Sequence, residues 1–378
     1  MDEGMIFRAQ GAGFFGHGKD DGSTMKDDIR KRKEDHIKIV LTRDVVGKHV
    51  TTGLERYRFL HNALPEISFD DVSLAWRFGP TGQPLKAPFL ISSMTGGSTG
   101  GERVNRNLAM AAQERGWAMG LGSLRVALER PESRESFRVR KWAPKIPLLA
   151  NLGLVQLNSG FGVEDCRRAV EMVEADALVF HLNSLQEVFQ PGGDTDFRGL
   201  LKKLEAVCRA MTVPVGVKEV GMGIDGRLAR KLVDAGVSFI DVAGAGGTSW
   251  IRVEKYRQGD SLLSAAADAF DGWGIPTAES VKSVRRQAPG TFLIASGGLG
   301  TGVDAAKTLA LGADLAGFAR TLLGPARSGG PEAVMNRMKQ IELECRIAMF
   351  GIGVKTVEQL KNSDRLVNVD ESGSQPPF

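Results

Sequence analysis

Residues Val179-Phe180-His181-Leu182-Asn183-Ser184-Leu185-Gln186-Glu187 decide how the chain is read. The apolar run from Ala177 to Phe180 has the composition of a buried strand, and it breaks into an imidazole, two amides and a carboxylate. A barrel enzyme places its chemistry at strand ends in this manner. The other reading is that Asn183 and Ser184 merely open a polar connection to the next helix. The neighbouring segments separate the two, because several other apolar runs end in the same way.

Working outward, Phe89-Leu90-Ile91-Ser92-Ser93 leads into Met94-Thr95-Gly96-Gly97, and Ala118 to Gly122 leads into Ser123 and Arg125. Pro147 to Ala150 ends in Asn151, Val215 to Val217 in Lys218-Glu219, and Phe239 to Val242 in Ala243-Gly244-Ala245-Gly246-Gly247-Thr248. Phe292 to Ala295 ends in Ser296-Gly297-Gly298, and Leu315 to Phe318 in Ala319-Arg320. Helical patterns separate most of these runs: Glu102 to Arg115, around Glu135 to Trp142, Glu164 to Glu174, Gly226 to Ala235 and Val303 to Leu311. Eight such runs over roughly 250 residues predict an α/β protein of the (β/α)8 TIM-barrel class, since parallel neighbours need crossover connections. An open doubly wound sheet would instead show one dominant glycine loop after its first strand.

Composition sets the limits. The chain has 378 residues, 42% hydrophobic, enough for one large core. Lys+Arg 49 against Asp+Glu 45 leaves a net charge of +4, which argues against nucleic acid as a partner. Cys166, Cys208 and Cys345 lie far apart, without disulfide or zinc spacing, so a cytoplasmic setting is expected. No apolar run suits a membrane span, and the N-terminus does not read as a signal peptide.

Three stretches follow: a flexible extension over 1–28, a single barrel domain over 29–365, and a flexible tail over 366–378. The domain opens with Ile29-Arg30-Lys31-Arg32-Lys33-Glu34-Asp35-His36-Ile37, either a solvated basic segment or a movable arm carrying cations to an anionic substrate. Residues 41–86 read as irregular and are expected to cap the barrel floor or pack on its side. Residues 249–276 form an insertion between the sixth and seventh units, whose Trp250, Arg252, Glu254 and Arg257 suggest a lid or a subunit contact. A helical run is expected from Ala333 to Met349.

The late glycine clusters point to a phosphate. Ser296-Gly297-Gly298-Leu299-Gly300-Thr301-Gly302 and Gly317-Phe318-Ala319-Arg320 follow the seventh and eighth strands. Barrels often hold phosphate there, on backbone N–H groups and a helix N-terminus. Lys218, at the end of the fifth strand, needs an anion when buried. Glu219 or Asp241 could supply it, or an electron-rich bound ring could.

Taken in order, Arg32-Lys33-Glu34-Asp35-His36, Ser93-Met94-Thr95-Gly96-Gly97, Gly122-Ser123-Leu124-Arg125, Asn151-Leu152-Gly153 and His181-Leu182-Asn183 with Gln186-Glu187 resemble the FMN-dependent type 2 isopentenyl-diphosphate isomerase family. Val217-Lys218-Glu219-Val220-Gly221, Gly246-Gly247-Thr248-Ser249-Trp250 and Ser296-Gly297-Gly298 continue the match, which runs from about residue 30 to 350. The resemblance implies FMN contacts at Ser93, Met94, Thr95, Ser123, Asn151, Lys218 and Thr248, with the phosphate near Gly298, Leu299, Gly300, Ala319 and Arg320. It implies substrate-diphosphate contacts at Arg32, Lys33, His36, Ser123, Arg125, His181 and Asn183, Gln186 beside the isoprenoid carbons, and Glu187 as the Mg2+ ligand. Gln186, Lys218 and His181 are the implied catalytic residues. Reduced FMN, Mg2+, NAD(P)H as reductant and a tetrameric or octameric homo-oligomer complete the expectation.

Two positions depart from the family pattern: Ala243 stands where a serine is expected, and Gly300 where a basic residue is common. Three rival readings remain. An FMN-dependent 2-hydroxy-acid oxidase would need a histidine and an arginine late in the barrel, yet the corresponding segment is Trp273-Gly274-Ile275-Pro276-Thr277-Ala278-Glu279 and no histidine follows His181. A dehydrogenase of the inosine-monophosphate type would need a loop cysteine, and all three cysteines fall in helical patterns. A non-catalytic flavin-binding barrel is the third.

Overall fold

The computed structural model describes residues 24–370, with side chains from residue 31 onward apart from that of Thr99. Eight parallel strands close into a ring in chain order: β1 (Phe89–Ile91), β2 (Ala118–Gly120), β3 (Leu148–Gly153), β4 (Ala177–His181), β5 (Val215–Lys218), β6 (Phe239–Asp241), β7 (Phe292–Ala295) and β8 (Leu315–Phe318). β8 pairs with β1, Ala316 opposite Phe89, so neither edge is left open. These are the eight apolar runs of the sequence, and the architecture is the closed TIM barrel rather than the open sheet.

The two ends of the barrel differ in chemistry. At the N-terminal end an antiparallel hairpin, Trp76–Phe78 with Gln83–Leu85, seals the floor. Phe78 is fully buried and meets the rings of Phe239 and Phe292 edge-on at 5.8 and 5.4 Å. Leu90, Ala118, Leu149, Ala177 and Leu315 complete this plug. The irregular 41–86 segment divides: residues 76–85 cap the floor, Phe69 and Val72 pack on the side, accepting from Arg346, and Val46 bridges to Thr248 at the opposite end. At the other end β4, β5 and β6 finish in His181, Lys218 and Asp241, and β3 carries Asn151 two residues before its end.

One predicted helix is absent. In place of a helix around Glu135 to Trp142, the chain forms a short helix, Arg125–Glu129, and a 3-10 segment, Pro131–Phe137. Pro131 lacks the N–H that would continue the first helix and so starts the second element. Arg140 then turns inward, donating to the carbonyls of Ala143 and Ile146 and to Asp176. The insertion contains the helices Trp250–Lys255 and Ser261–Asp268, and a long helix, Gly330–Ile352, covers the predicted C-terminal run.

The arm is a helix, Thr24–Thr42, that begins inside the segment read as a flexible extension; residues 1–23 lie outside the described residues. Leu366–Asn368 pairs antiparallel with Tyr57–Phe59, so ordered chain continues past residue 365, and only 371–378 of the expected tail lie outside the described residues. Among the described residues no helix is long and apolar enough to cross a membrane.

The floor plug yields a stability prediction. Phe78→Ala removes a buried ring and is expected to cost about 3–5 kcal/mol, read as a lowered urea midpoint. A loss under about 1 kcal/mol would show that the hairpin does not seal the core.

Candidate active site

The side chains singled out in the sequence converge on one cavity of about 360 Å³ at the C-terminal mouth of the barrel. Arg32, Lys33 and His36 reach it from the arm, and Ser93, Met94 and Thr95 from the end of β1. Ser123 and Arg125 enter after β2, Asn151 from β3, His181, Asn183, Gln186 and Glu187 from β4 and its helix, and Lys218 from β5. Thr248, Gly298, Leu299, Gly300, Ala319 and Arg320 line the remaining wall.

Asn151 fixes the state of His181. Its Nδ2 donates to the Leu121 carbonyl at 3.0 Å, which turns Oδ1 toward His181 Nδ1 at 2.9 Å. An oxygen that only accepts requires the imidazole proton on Nδ1, leaving Nε2 as an acceptor. Burial, with the charges of Lys218 and Lys33, pushes His181 down to about 3. The ring is therefore neutral at physiological pH.

Glu187 is held at three points. Oε1 accepts from Asn183 Nδ2 at 2.6 Å, and Oε2 from Gln190 Nε2 at 3.1 Å and the Asp194 N–H at 2.8 Å. Burial raises its carboxyl, against the pull of these donors. Asn183 Oδ1, itself buried, has no hydrogen-bond partner among the described residues, so this corner carries an unsatisfied acceptor beside a carboxylate. Such a pair suits a hydrated cation.

Glu254, on the helix Trp250–Lys255, is the residue that sequence reasoning undervalued. It has no exposed surface, and its Oε1 takes hydrogen bonds from His36 Nε2 at 2.9 Å and Gln186 Nε2 at 3.1 Å. Arg257 pairs with its Oε2 at 2.6 Å. Burial alone would raise this carboxyl, but His36, Gln186 and Arg257 bring it below the ordinary value. The same burial lowers His36, so a neutral imidazole donates to an ionised carboxylate. Arg252 and Arg257 also turn inward, pairing with Asp271 and Glu254, which fits a cover over the cavity rather than a charged contact surface. The signal in the sequence was a glutamate in a Trp-rich insertion. Its partners, 218 and 68 residues away, carried no local pattern.

Cations also line the cavity. Lys33 Nζ donates to the Ser123 carbonyl at 3.2 Å and stands 5.0 Å from the Phe137 ring centroid. Burial and the neighbouring Arg32 push it down to about 7. Lys218 donates to the Glu219 carbonyl at 2.6 Å and lies opposite Asp241 in the β5–β6 register. Burial lowers Lys218 and raises Asp241, and each charge opposes the other's neutralisation. Neither carboxylate of the sequence reading makes an ion pair with Lys218 within 4 Å. Glu219 instead accepts the N–H groups of Val220, Gly221 and Met222, and burial still pushes it up to about 7.

The late loops are not equivalent. The helix Gly302–Ala310 is closed by a capping box in which Asp304 accepts from the amides of Gly300 at 3.0 Å and Thr301 at 2.9 Å. The Gly300 N–H is thus committed to a carboxylate. The helix Arg320–Ser328 has no side-chain cap, and its N-terminus opens on the cavity with Arg320, which has no ion-pair partner among the described residues. Ala243 carries a left-handed φ of 37°, an unusual conformation for a residue with a Cβ.

Residues 175–367 match the family model of FMN-dependent dehydrogenases. The isopentenyl-diphosphate delta-isomerase of Oceanobacillus iheyensis is 53% identical over 92% of this chain and 99% of that relative. The same enzyme of a Nostoc species is 48% identical over 89% of this chain and 95% of the relative. Among solved structures, a flavocytochrome b2 mutant covers 91% of this chain and 85% of its own with a TM-score of 0.65 at 17% identity. A mandelate oxidase with an FMN adduct covers 88% and 91% with a TM-score of 0.58 at 19% identity. At such identities the structural likeness speaks for the fold.

The Glu254 junction makes a direct prediction. Glu254→Gln keeps the shape but deprives Arg257 of its counter-ion and the arm of its charged anchor. Amide hydrogen exchange over residues 31–42 is expected to accelerate at least tenfold, about 1.4 kcal/mol of lost protection, while the barrel strands stay protected. Unchanged exchange in the arm would contradict the anchoring role.

Proposed function

The chain belongs to the isopentenyl-diphosphate delta-isomerase family, and from that premise we propose that it interconverts isopentenyl and dimethylallyl diphosphate using reduced FMN and Mg2+. The observation that carries this reading is the convergence of Arg32, Lys33 and Arg125 with the buried Glu187 on one wall of the cavity. A diphosphate needs such cations, and Mg2+ usually sits between one or two carboxylates and phosphate oxygens.

The residues fit the proposed flavin. Ser92 and Thr95 are buried with hydroxyls that have no partner among the described residues, and both line the cavity. The uncapped helix at Arg320 and the glycine loop at Gly298–Leu299 suit its phosphate. Arg320 lines this wall, where the hydroxyl at Ala243 and a side-chain cation at Gly300 are missing, and Arg337 donates to the Gly300 carbonyl at 2.6 Å. FMN, in its reduced form, supplies an electron-rich acid–base partner next to an alkene that resists protonation. We take NAD(P)H as the reductant and a cytoplasmic homo-oligomer as the working form.

The reaction adds a proton at the terminal alkene carbon and removes one from C2, with no net redox change. Lys218 balances negative charge at the ring. Gln186, an amide, positions or relays rather than acting as an ordinary base, and Glu254 accepts a hydrogen bond from its Nε2. His181, neutral with its proton on Nδ1, offers Nε2 as an acceptor without adding charge. Glu187 would hold Mg2+ against the diphosphate, and Asn183 Oδ1 can accept from its water shell. The oxidase reading finds no support, because Thr277 is buried and donates to the Gly297 carbonyl at 2.7 Å where a late catalytic group would be needed. The three cysteines sit on helices, with burial raising the thiols to about 12, 11 and 12, which disfavours a nucleophile.

An anaerobic assay with FMN, Mg2+, reductant and isopentenyl diphosphate tests the reading. Dimethylallyl diphosphate is expected, and it should vanish without reductant and fall at least a hundredfold in Glu187→Gln. Folded, flavin-loaded protein giving no product would overturn the isomerase and leave a flavin barrel. A pH dependence follows from Lys33. Its charge is present below pH 7 and lost above it, whereas a bound diphosphate favours the ammonium. Affinity should weaken as pH rises from 7 to 9, with proton uptake on binding at pH 8 by calorimetry in buffers of different ionisation enthalpy. Lys33→Met should abolish that uptake.

A further inference from the structure

Asp194 touches both halves of the proposed diphosphate end. Its backbone N–H donates to Glu187 Oε2 at 2.8 Å, and its carboxylate accepts from Arg125 at 2.8 Å. Arg125 is gripped a second time by Glu129, through Nε at 2.9 Å. Two carboxylates thus fix the plane of the guanidinium and leave its remaining N–H edge uncommitted among the described residues. Asp194 reaches this position because the chain folds tightly over Glu187: the Gly193 N–H donates to the Gln190 carbonyl at 3.0 Å. A Cβ at Gly193 would lie 2.0 Å from the Glu187 carbonyl oxygen, so only glycine permits the wrap.

We propose that Asp194 is a positioning residue, its side chain orienting Arg125 and its main chain orienting Glu187, so that cation and carboxylate meet the diphosphate as one unit. The proposal rests on the functional reading above. Its two arms are separable, because substitution of the side chain keeps the N–H, whereas distortion at Gly193 moves the N–H.

The test is calorimetric binding of isopentenyl diphosphate to the oxidised FMN-loaded enzyme over a Mg2+ series. Wild type should bind with Mg2+ dependence; if it does not, the functional reading fails and Asp194 is not the cause. Asp194→Ala is expected to weaken binding about five- to tenfold with the Mg2+ midpoint within about twofold, and Asp194→Asn to restore part of the loss. In an Arg125→Gln background, Asp194→Ala should add nothing. Gly193→Ala should instead raise the Mg2+ midpoint about tenfold. Unchanged or tighter binding in Asp194→Ala, additivity with Arg125→Gln, or a Mg2+ midpoint raised by Asp194→Ala as much as by Gly193→Ala would each overturn it. The last outcome would make Asp194 a metal carboxylate rather than a positioner.

Discussion

Three side chains from three separate segments meet on the carboxylate of Glu254, which has no exposed surface. An ionised carboxylate in that position is tolerable only with all its partners, since removing one partner of a buried pair costs about 3–5 kcal/mol. The arm, the β4 helix and the insertion are therefore held to one geometry. His36 and Gln186 both line the cavity, so the junction shapes its wall. Arg32 and Lys33 ride on the same arm helix as His36, so the junction also decides where two of the site's cations stand.

Charge balance explains the rest of the mouth. Arg32, Lys33, Arg125, Lys218 and Arg320 all line the cavity, and burial depresses Arg32, Lys33 and Lys218 below their ordinary values. Burying cations without matching anions is costly in the empty protein, and an anionic ligand relieves that cost. His181 adds no further positive charge, because burial and the charges of Lys218 and Lys33 hold it neutral while Asn151 fixes its tautomer. The fold is shared with flavin oxidases, so function rests on which groups stand at the strand ends.

Much of this was legible in the sequence. The eight strands and the polar residues that end them could be read because an apolar run breaking into His181 or Lys218 leaves a local trace. The helix expected around Glu135 to Trp142 could not hold, because Pro131 and the inward turn of Arg140 reset the backbone. Glu254 was visible only as part of an insertion, since His36 and Gln186, its partners outside that insertion, are distant in sequence. Asp304's hold on the Gly300 amide is local and follows from the Thr301-to-Asp304 capping spacing, but it was hidden by the glycine pattern around it. Asp194 left no sign, because its role comes from a loop wrapping over Glu187.

The central claim is that an oxidase-like barrel here shifts a double bond without consuming electrons. Counting dimethylallyl diphosphate formed per equivalent of reductant oxidised, under anaerobic conditions with FMN and Mg2+, tests it most directly. Many product molecules per reductant are predicted. One-to-one consumption of reductant, or reductant oxidised with no isomer formed, would contradict it.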